Sequence, residues 1–494
     1  MESRNEYALS FQADQVSSLN QFNDVRPGDW AHQALGALVE RYGCVAGYAN
    51  GTFAGGRPLS RYEAAALLNA CLDRVSEVTD ALKRLMKEFE KDLAVLRGRV
   101  DGLEAKAGEL AAAPFSTTTK LAGKAVFVIG ANAFSGSAKG LVNDARAVEG
   151  GTSFNYDLEL SFDSSFTGKD LLRTILRAGN FADSAFGNGG LNELEVAFQQ
   201  DCGINADCGD VVAIDKLFYQ FPVNQFLTAT IGSRVGQEDM LAVWPSVYPA
   251  DTILDVFTYS GAPAAYNKNL GPGGGLWWKH HDLSLSANYV AALGDGGTPG
   301  QGGLAGGQSR GSGSVQLALA KSNWALAGLY SYVQQNTEVP GTTPFAAGDW
   351  LSTGAGHLNA FALSGYWQPR KPGLIPSLSA GWGYNAYEYQ NGVPPGSLRT
   401  SQSWFVGLQW DQAFQAANVL GFALGQPVFA TGLTGAASPH DGNYAFELWY
   451  KFQTTDHISV TPAIFYLSRP LGQDAPLGKS FANLGAVLKT TFKS

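Results

Sequence analysis

From residue 115 onwards the chain alternates. Over residues 154–163, Phe154, Tyr156, Leu158, Leu160 and Phe162 fall on one side, and Asn155, Asp157, Glu159, Ser161 and Asp163 on the other. That is the period of a strand with one apolar face. The pattern returns at 283–289, 315–319, 404–410 and 444–452. About sixteen such segments follow one another, separated in turn by short turns and by long Gly/Asn/Pro-rich stretches such as 294–313 and 339–354. A soluble sandwich also alternates, but it has no need of so many amphipathic strands with aromatics at both ends and so little charge. The last segment, with Leu484, Ala486, Leu488, Thr490 and Phe492 on one face, ends on a near-terminal Phe, as outer-membrane strands do. No run of 18 or more apolar residues occurs, which excludes a membrane-spanning helix and leaves a barrel open. The expected fold is multidomain: a transmembrane antiparallel β-barrel of about sixteen strands over 115–494, preceded by helical segments.

Those helical segments differ in composition. Residues 1–113 are roughly twice as dense in charge as the remainder, and the break falls at Ala111-Ala112-Ala113-Pro114. Between 75 and 110 the apolar positions Val75, Val78, Leu82, Leu85, Phe89, Leu93, Leu96, Val100, Leu103, Ala107 and Leu110 step by three and four, with one stutter after Phe89. A stripe this narrow calls for a partner helix, so 75–112 is read as a coiled-coil spacer about 50 Å long. A solvated linker helix is the alternative. The net charge of −9 offers no basic patch for nucleic acid.

The four cysteines form two local pairs, Cys44 with Cys71 and Cys202 with Cys208, and neither has zinc-site spacing. Two disulfides in an oxidising compartment are favoured over buried thiols. Residues 1–6 carry no apolar core, so no signal peptide is visible, and an exported chain would begin at a processed or re-engineered N-terminus.

Residues 22–74 read as a small helix–loop–helix module. Trp30 opens one helix, Gly47-Tyr48-Ala49-Asn50-Gly51 makes a turn, and Ser60 with Glu63 forms a capping box for the next helix. The order Phe22-Asn23-Asp24-Val25, Trp30, Gly47-Tyr48-Ala49-Asn50-Gly51-Thr52-Phe53 and Ser60-Arg61-Tyr62-Glu63 resembles the S-layer homology (SLH) domain. Asn50 stands where that pattern has Asp, and Ser60 where it has Thr. The resemblance implies binding to peptidoglycan-linked acidic, often pyruvylated, polysaccharide. Arg61 would pair with a glycan carboxylate, Trp30 would stack on a sugar, and Gly47, Tyr48, Gly51 and Glu63 would shape the site. Equally, Trp30 can be a core aromatic and Arg61 can cap a local acid. Such domains usually come in threes. One copy here, with the coil, points to a homotrimer.

Two barrel stretches, Phe115-Ser116-Thr117-Thr118-Thr119-Lys120-Leu121-Ala122-Gly123-Lys124-Ala125 and Met240-Leu241-Ala242-Val243-Trp244-Pro245-Ser246-Val247-Tyr248-Pro249-Ala250-Asp251, resemble cyanobacterial SLH-porins related to the OprB-type carbohydrate-selective porins. That family's order is SLH module, coil, barrel. The resemblance implies a trimeric channel in outer-membrane lipid, passing small ions, sugars or iron complexes, with its SLH domain and coil in the periplasm.

A barrel of this size leaves an aqueous lumen unless a loop folds in. The candidate constriction is 236–261, too long and too apolar for a plain turn, with Glu238, Asp239, Asp251 and Asp255 beside Trp244 and Tyr248. Arg173 and Arg177 share the inward face of their strand, and Lys216 and Arg234 join them. An acidic loop facing a basic wall would set a transverse field that selects ions. The alternative is pairing between neighbouring strands, Arg173 or Arg177 with Asp157 or Glu159. The six histidines show no metal spacing, and neither an enzyme nor a cofactor is expected. A mainly structural tether with a plugged barrel is the competing function.

Overall fold

The computed structural model describes residues 119–494, apart from 188–189, 201–207, 299, 301, 353–355 and 436–437. The chain divides at Pro114/Phe115 into two units, and the described residues belong to the second. The module at 22–74 with Trp30, Gly47, Tyr48, Gly51, Arg61 and Glu63, the coil at 75–112, and Cys44, Cys71 and Cys202 lie outside the described residues. Cys208 is disulfide-bonded.

Sixteen antiparallel strands close into one barrel, each paired with its sequence neighbours and β16 with β1. The first five are β1 (Lys120–Ser135), β2 (Ser153–Ser164), β3 (Leu171–Gly179), β4 (Ala213–Pro222) and β5 (Leu227–Gly236). The next five are β6 (Leu270–His280), β7 (Leu283–Ala291), β8 (Gly311–Lys321), β9 (Trp324–Gln334) and β10 (Gly356–Trp367). The last six are β11 (Ser377–Tyr389), β12 (Leu398–Asp411), β13 (Val419–Leu433), β14 (Tyr444–Thr455), β15 (Ile458–Ser468) and β16 (Ala482–Lys493). Two short helices, α1 (Lys139–Glu149) and α2 (Pro344–Ser352), sit in connections.

The alternation fixes which way each residue points. On β7 and β8, Leu283, Leu285, Val315 and Leu317 are exposed on the outer face, while Ser284, Ser286, Ser314 and Gln316 are buried on the inner one. A lipid-facing exterior and a polar interior follow, the inverse of a soluble protein. Outward-facing rings gather at both rims. Tyr219, Phe221, Trp278, Trp324, Trp367 and Phe492 lie towards the end with the tight turns 281–282, 322–323 and 456–457. Phe154, Tyr289, Tyr332, Tyr444 and Tyr466 lie towards the other, matching the interfacial belts of a membrane barrel.

The opposite end carries the long connections, and these are knitted together. Buried Asp441 accepts hydrogen bonds from Thr343 Oγ1 (2.6 Å), Ala430 N (2.7 Å) and Gln473 N (2.9 Å), joining three loops. Trp350 of α2 is 2% exposed and donates to the Thr337 carbonyl at 2.9 Å.

Two long connections turn into the bore: the described residues of 180–212 after β3, and 237–269 after β5. The second reaches much of the inner wall. Ala242 N donates to Ser286 Oγ on β7 (2.9 Å), and Val247 N to Ser379 Oγ on β11 (3.0 Å). Ala250 N donates to Gln409 Oε1 on β12 (2.7 Å), and Tyr248 Oη to Glu447 Oε1 on β14 (2.5 Å). On the way back, Ser364 and Ser403 hydroxyls donate to the Ser260 and Gly261 carbonyls. The two loops meet at Leu194 and Leu254, which form a β-bridge. Phe181, Phe186, Leu191 and Val196 from the first loop pack with Tyr248, Ile253 and Phe257 from the second against Val126, Phe405, Trp449 and Phe465 of the wall. The bore therefore has an apolar core of its own.

Candidate functional site: the charged lumen

Beside that core, the wall from β16 through β1 to β4 carries charged side chains placed by register. Lys493, Lys124, Glu159 and Arg177 stand in one lateral row across β16, β1, β2 and β3. Lys120, Asp163, Arg173 and Phe218 form another across β1 to β4. Asp163 and Arg173 are directly opposed and pair through two bonds, Nε to Oδ1 at 2.8 Å and Nη2 to Oδ2 at 2.7 Å. Arg177 stands opposite Glu159, yet its guanidinium reaches diagonally to Asp157 with bonds of 2.7 and 3.1 Å. Gly179, the residue opposite Asp157, leaves that diagonal open. Glu159 is left to Lys124 at 3.7 Å. The Phe198 ring lies 4.7 Å from the Arg177 guanidinium carbon.

The charged residues named from sequence thus take up different places. Arg173 and Arg177 pair within the wall, as the alternative reading had it, though the partner of Arg173 is Asp163. Asp157 is 0% exposed beneath Arg177, so it supports the pore surface without lining it. Lys216 is where loop and wall meet: its ammonium contacts Glu238 at 2.6 Å and Asp239 at 2.7 Å. Arg234 instead donates from Nε to the Asp215 carbonyl at 2.9 Å, next to the register shifts between β4 and its two neighbours. Asp251 crosses to the far wall, where Lys489 and Thr461 hold it. Asp255 accepts from the Tyr259 hydroxyl and from Thr258 Oγ1.

Three lumen residues escaped the sequence reading: Glu193, Glu195 and Lys268. In 191–196 the side chains of Leu191, Leu194 and Val196 enter the apolar core, so Glu193 and Glu195 project from the other edge, half-buried. Glu195 N donates to the Ile253 carbonyl and Asp255 N to that of Glu193, which fixes this edge to the second loop. Burial, followed by the nearby Asp255 and Glu338 carboxylates, pushes Glu193 up to about 8. Burial also acts to raise Glu195, but Lys268, Lys124, Arg177 and Lys489 together hold it below its ordinary value. Lys268 donates to Thr258 Oγ1 at 2.8 Å and lies 4.5 Å from the centre of the Tyr259 ring. A basic wall and an acidic loop edge thus share one electrostatic neighbourhood, which can order water and bias the passage of ions without any covalent chemistry. The signal for Glu193 and Glu195 was present as period-two alternation in Glu193-Leu194-Glu195-Val196, within what reads as a loop.

The family model described as carbohydrate-selective porin, OprB family, matches residues 79–492, and that of the S-layer homology domain matches residues 21–65. A protein of Nostoc sp. is 33% identical over 523 residues, covering 97% of this chain and 85% of its own. A protein of Synechocystis sp. is 31% identical over 505 residues, covering 92% and 88%. Among solved structures, Pseudomonas putida OprB aligns with a TM-score of 0.47 at 12% identity, covering 79% of this chain and 97% of that one.

Proposed function

Because the chain belongs to the OprB family of carbohydrate-selective porins and carries an S-layer homology domain ahead of its outer-membrane barrel, we propose that it is a narrow passive channel for small solutes and inorganic ions, tethered to the cell wall. The observation that carries this reading is the pair of loops bonded inside the bore, whose acidic edge shares its surroundings with Lys124, Arg177 and Lys268. A passage bounded by fixed charges of both signs admits small hydrated ions and discriminates by the balance of those charges.

Tethering and trimer formation belong to the same proposal. The SLH domain would bind peptidoglycan-linked acidic polysaccharide through Arg61 and Trp30, and the 75–112 coil would join three protomers. The apolar cluster filling part of the bore supports a second reading, a tether whose barrel conducts little.

Planar-bilayer recording separates the two. Stable stepwise conductances from the purified full-length protein, with a nonzero reversal potential in a salt gradient, are the expected result. A folded protein that inserts and stays silent would leave the tether alone.

A further inference from the structure

The wall end nearest the tight turns carries four lysines, of which only Lys124 and Lys489 also touch the constriction. Lys124 and Lys493 are directly opposed in the β1–β16 ladder, an arrangement that sets two like charges side by side. Lys489 stands on the same inward face of β16. Lys451 stands on the inward face of β14, between outward-facing Tyr450 and Phe452. Lys451, Lys124 and Lys489 all lie within electrostatic reach of Lys493.

Carboxylates neutralise only part of this charge. Lys124 has Glu159 at 3.7 Å, and Lys489 is taken by Asp251 and the Thr252 carbonyl. Among the described residues, Lys451 and Lys493 form no ion pair. Asp251, held by Lys489 and Thr461, also lies within electrostatic reach of both; along the other side of the row from Lys451 the next carboxylate is Asp411, with Val419 between them. Hydroxyls fill the intervening level, Ser459 and Thr491 being directly opposed on β15 and β16. Rotatable ammonium donors from three strands, with hydroxyls among them and only Glu159 and Asp251 to set against four positive charges, suit a compact anion with several acceptor oxygens.

We propose that Lys451, Lys493, Lys124 and Lys489 form a binding site for a small divalent inorganic oxyanion, of the phosphate or sulfate type, inside the tight-turn mouth of the bore. The inward direction of all four side chains sets it apart from a lipid-headgroup contact on the outer rim. The site rests on the reading of the lumen as water-filled, and it would raise the local concentration of such anions on one side of the constriction.

The test is equilibrium binding of radiolabelled inorganic phosphate to the full-length protein in detergent at low ionic strength. Saturable binding displaced by sulfate, and not by chloride at matched ionic strength, is expected. K451Q/K493Q should weaken it at least tenfold, while K451R/K493R should retain it. Absence of saturable binding in the unaltered protein would overturn the site, as would chloride displacing the label as well as sulfate does, or equal binding by the Gln variant. The unaltered protein's competition series stands without any variant's folding. Binding is read without conduction, so a silent channel that binds phosphate refutes only the channel, and a conducting one that does not refutes only the site.

Discussion

Glu193 is a lumen side chain whose charge depends on pH. Its carboxyl, raised to about 8 by burial and by Asp255 and Glu338, is neutral below that pH and negative above it. Raising pH from 6 to 9 therefore adds a negative charge to the lumen edge, and the reversal potential should move towards cation selectivity. In E193Q the shift should vanish, while an equal shift in that variant would remove Glu193 from the account. Glu195 stays charged across this range, because four cations hold its carboxyl down against burial. Single residues were the hardest scale to read in advance. Inward direction was legible for Arg173 and Arg177 from parity alone, but their partners depend on strand register, which no local pattern specifies. Glu193 and Glu195 were missed because what aims them is Leu194 bridging to Leu254, a contact between two separate loops.

The element that decides the bore is the 237–269 loop, and it fits because parts of the wall have no side chain to obstruct it. A Cβ on Gly407 would lie 2.5 Å from the Tyr248 ring, and one on Gly381 would meet the Ser260 carbonyl. Gly407→Ala should displace Tyr248 and strain its bond to Glu447, costing about 1–3 kcal/mol of stability. The measurements are the midpoint of denaturant unfolding and the unit conductance. A lower midpoint with a larger conductance is expected, and no change in either would show that the loop is not held there. Strands were legible at this scale, since an exterior in contact with lipid must be apolar at every second residue. The loop at 236–261 was legible as anomalous through its apolar content, and the structure extends its inward path to 269. That 180–212 joins it inside the bore was not legible, because Phe181 and Phe186 sit among Gly, Ser and Asn that read as an ordinary surface connection.

At the scale of the whole chain, composition spoke first. The charge break at 111–114 coincides with the division at Pro114/Phe115. Light scattering of the full-length protein in mild detergent should give three protomers, and a monomer would retire the trimer. R61A should reduce co-sedimentation with cell-wall polysaccharide by roughly tenfold, the loss of one charge-assisted hydrogen bond. Retained binding would return Arg61 to a local cap. Selectivity stayed out of reach of the sequence at this scale, because it depends on which of many lumen charges cancel.

The bonds that carry the loop across the bore have a mechanical consequence. A thin-walled tube under lateral pressure tends to flatten into an ellipse, and a bilayer presses from every side. Asp251 against Lys489, Tyr248 against Glu447 and Ser260 against Ser364 act as cross-braces between opposite arcs of the wall. The parts that narrow the passage are then the parts that keep its cross-section round. Trimming the loops to admit a larger solute would soften the tube, so permeability and stiffness in this molecule trade against each other.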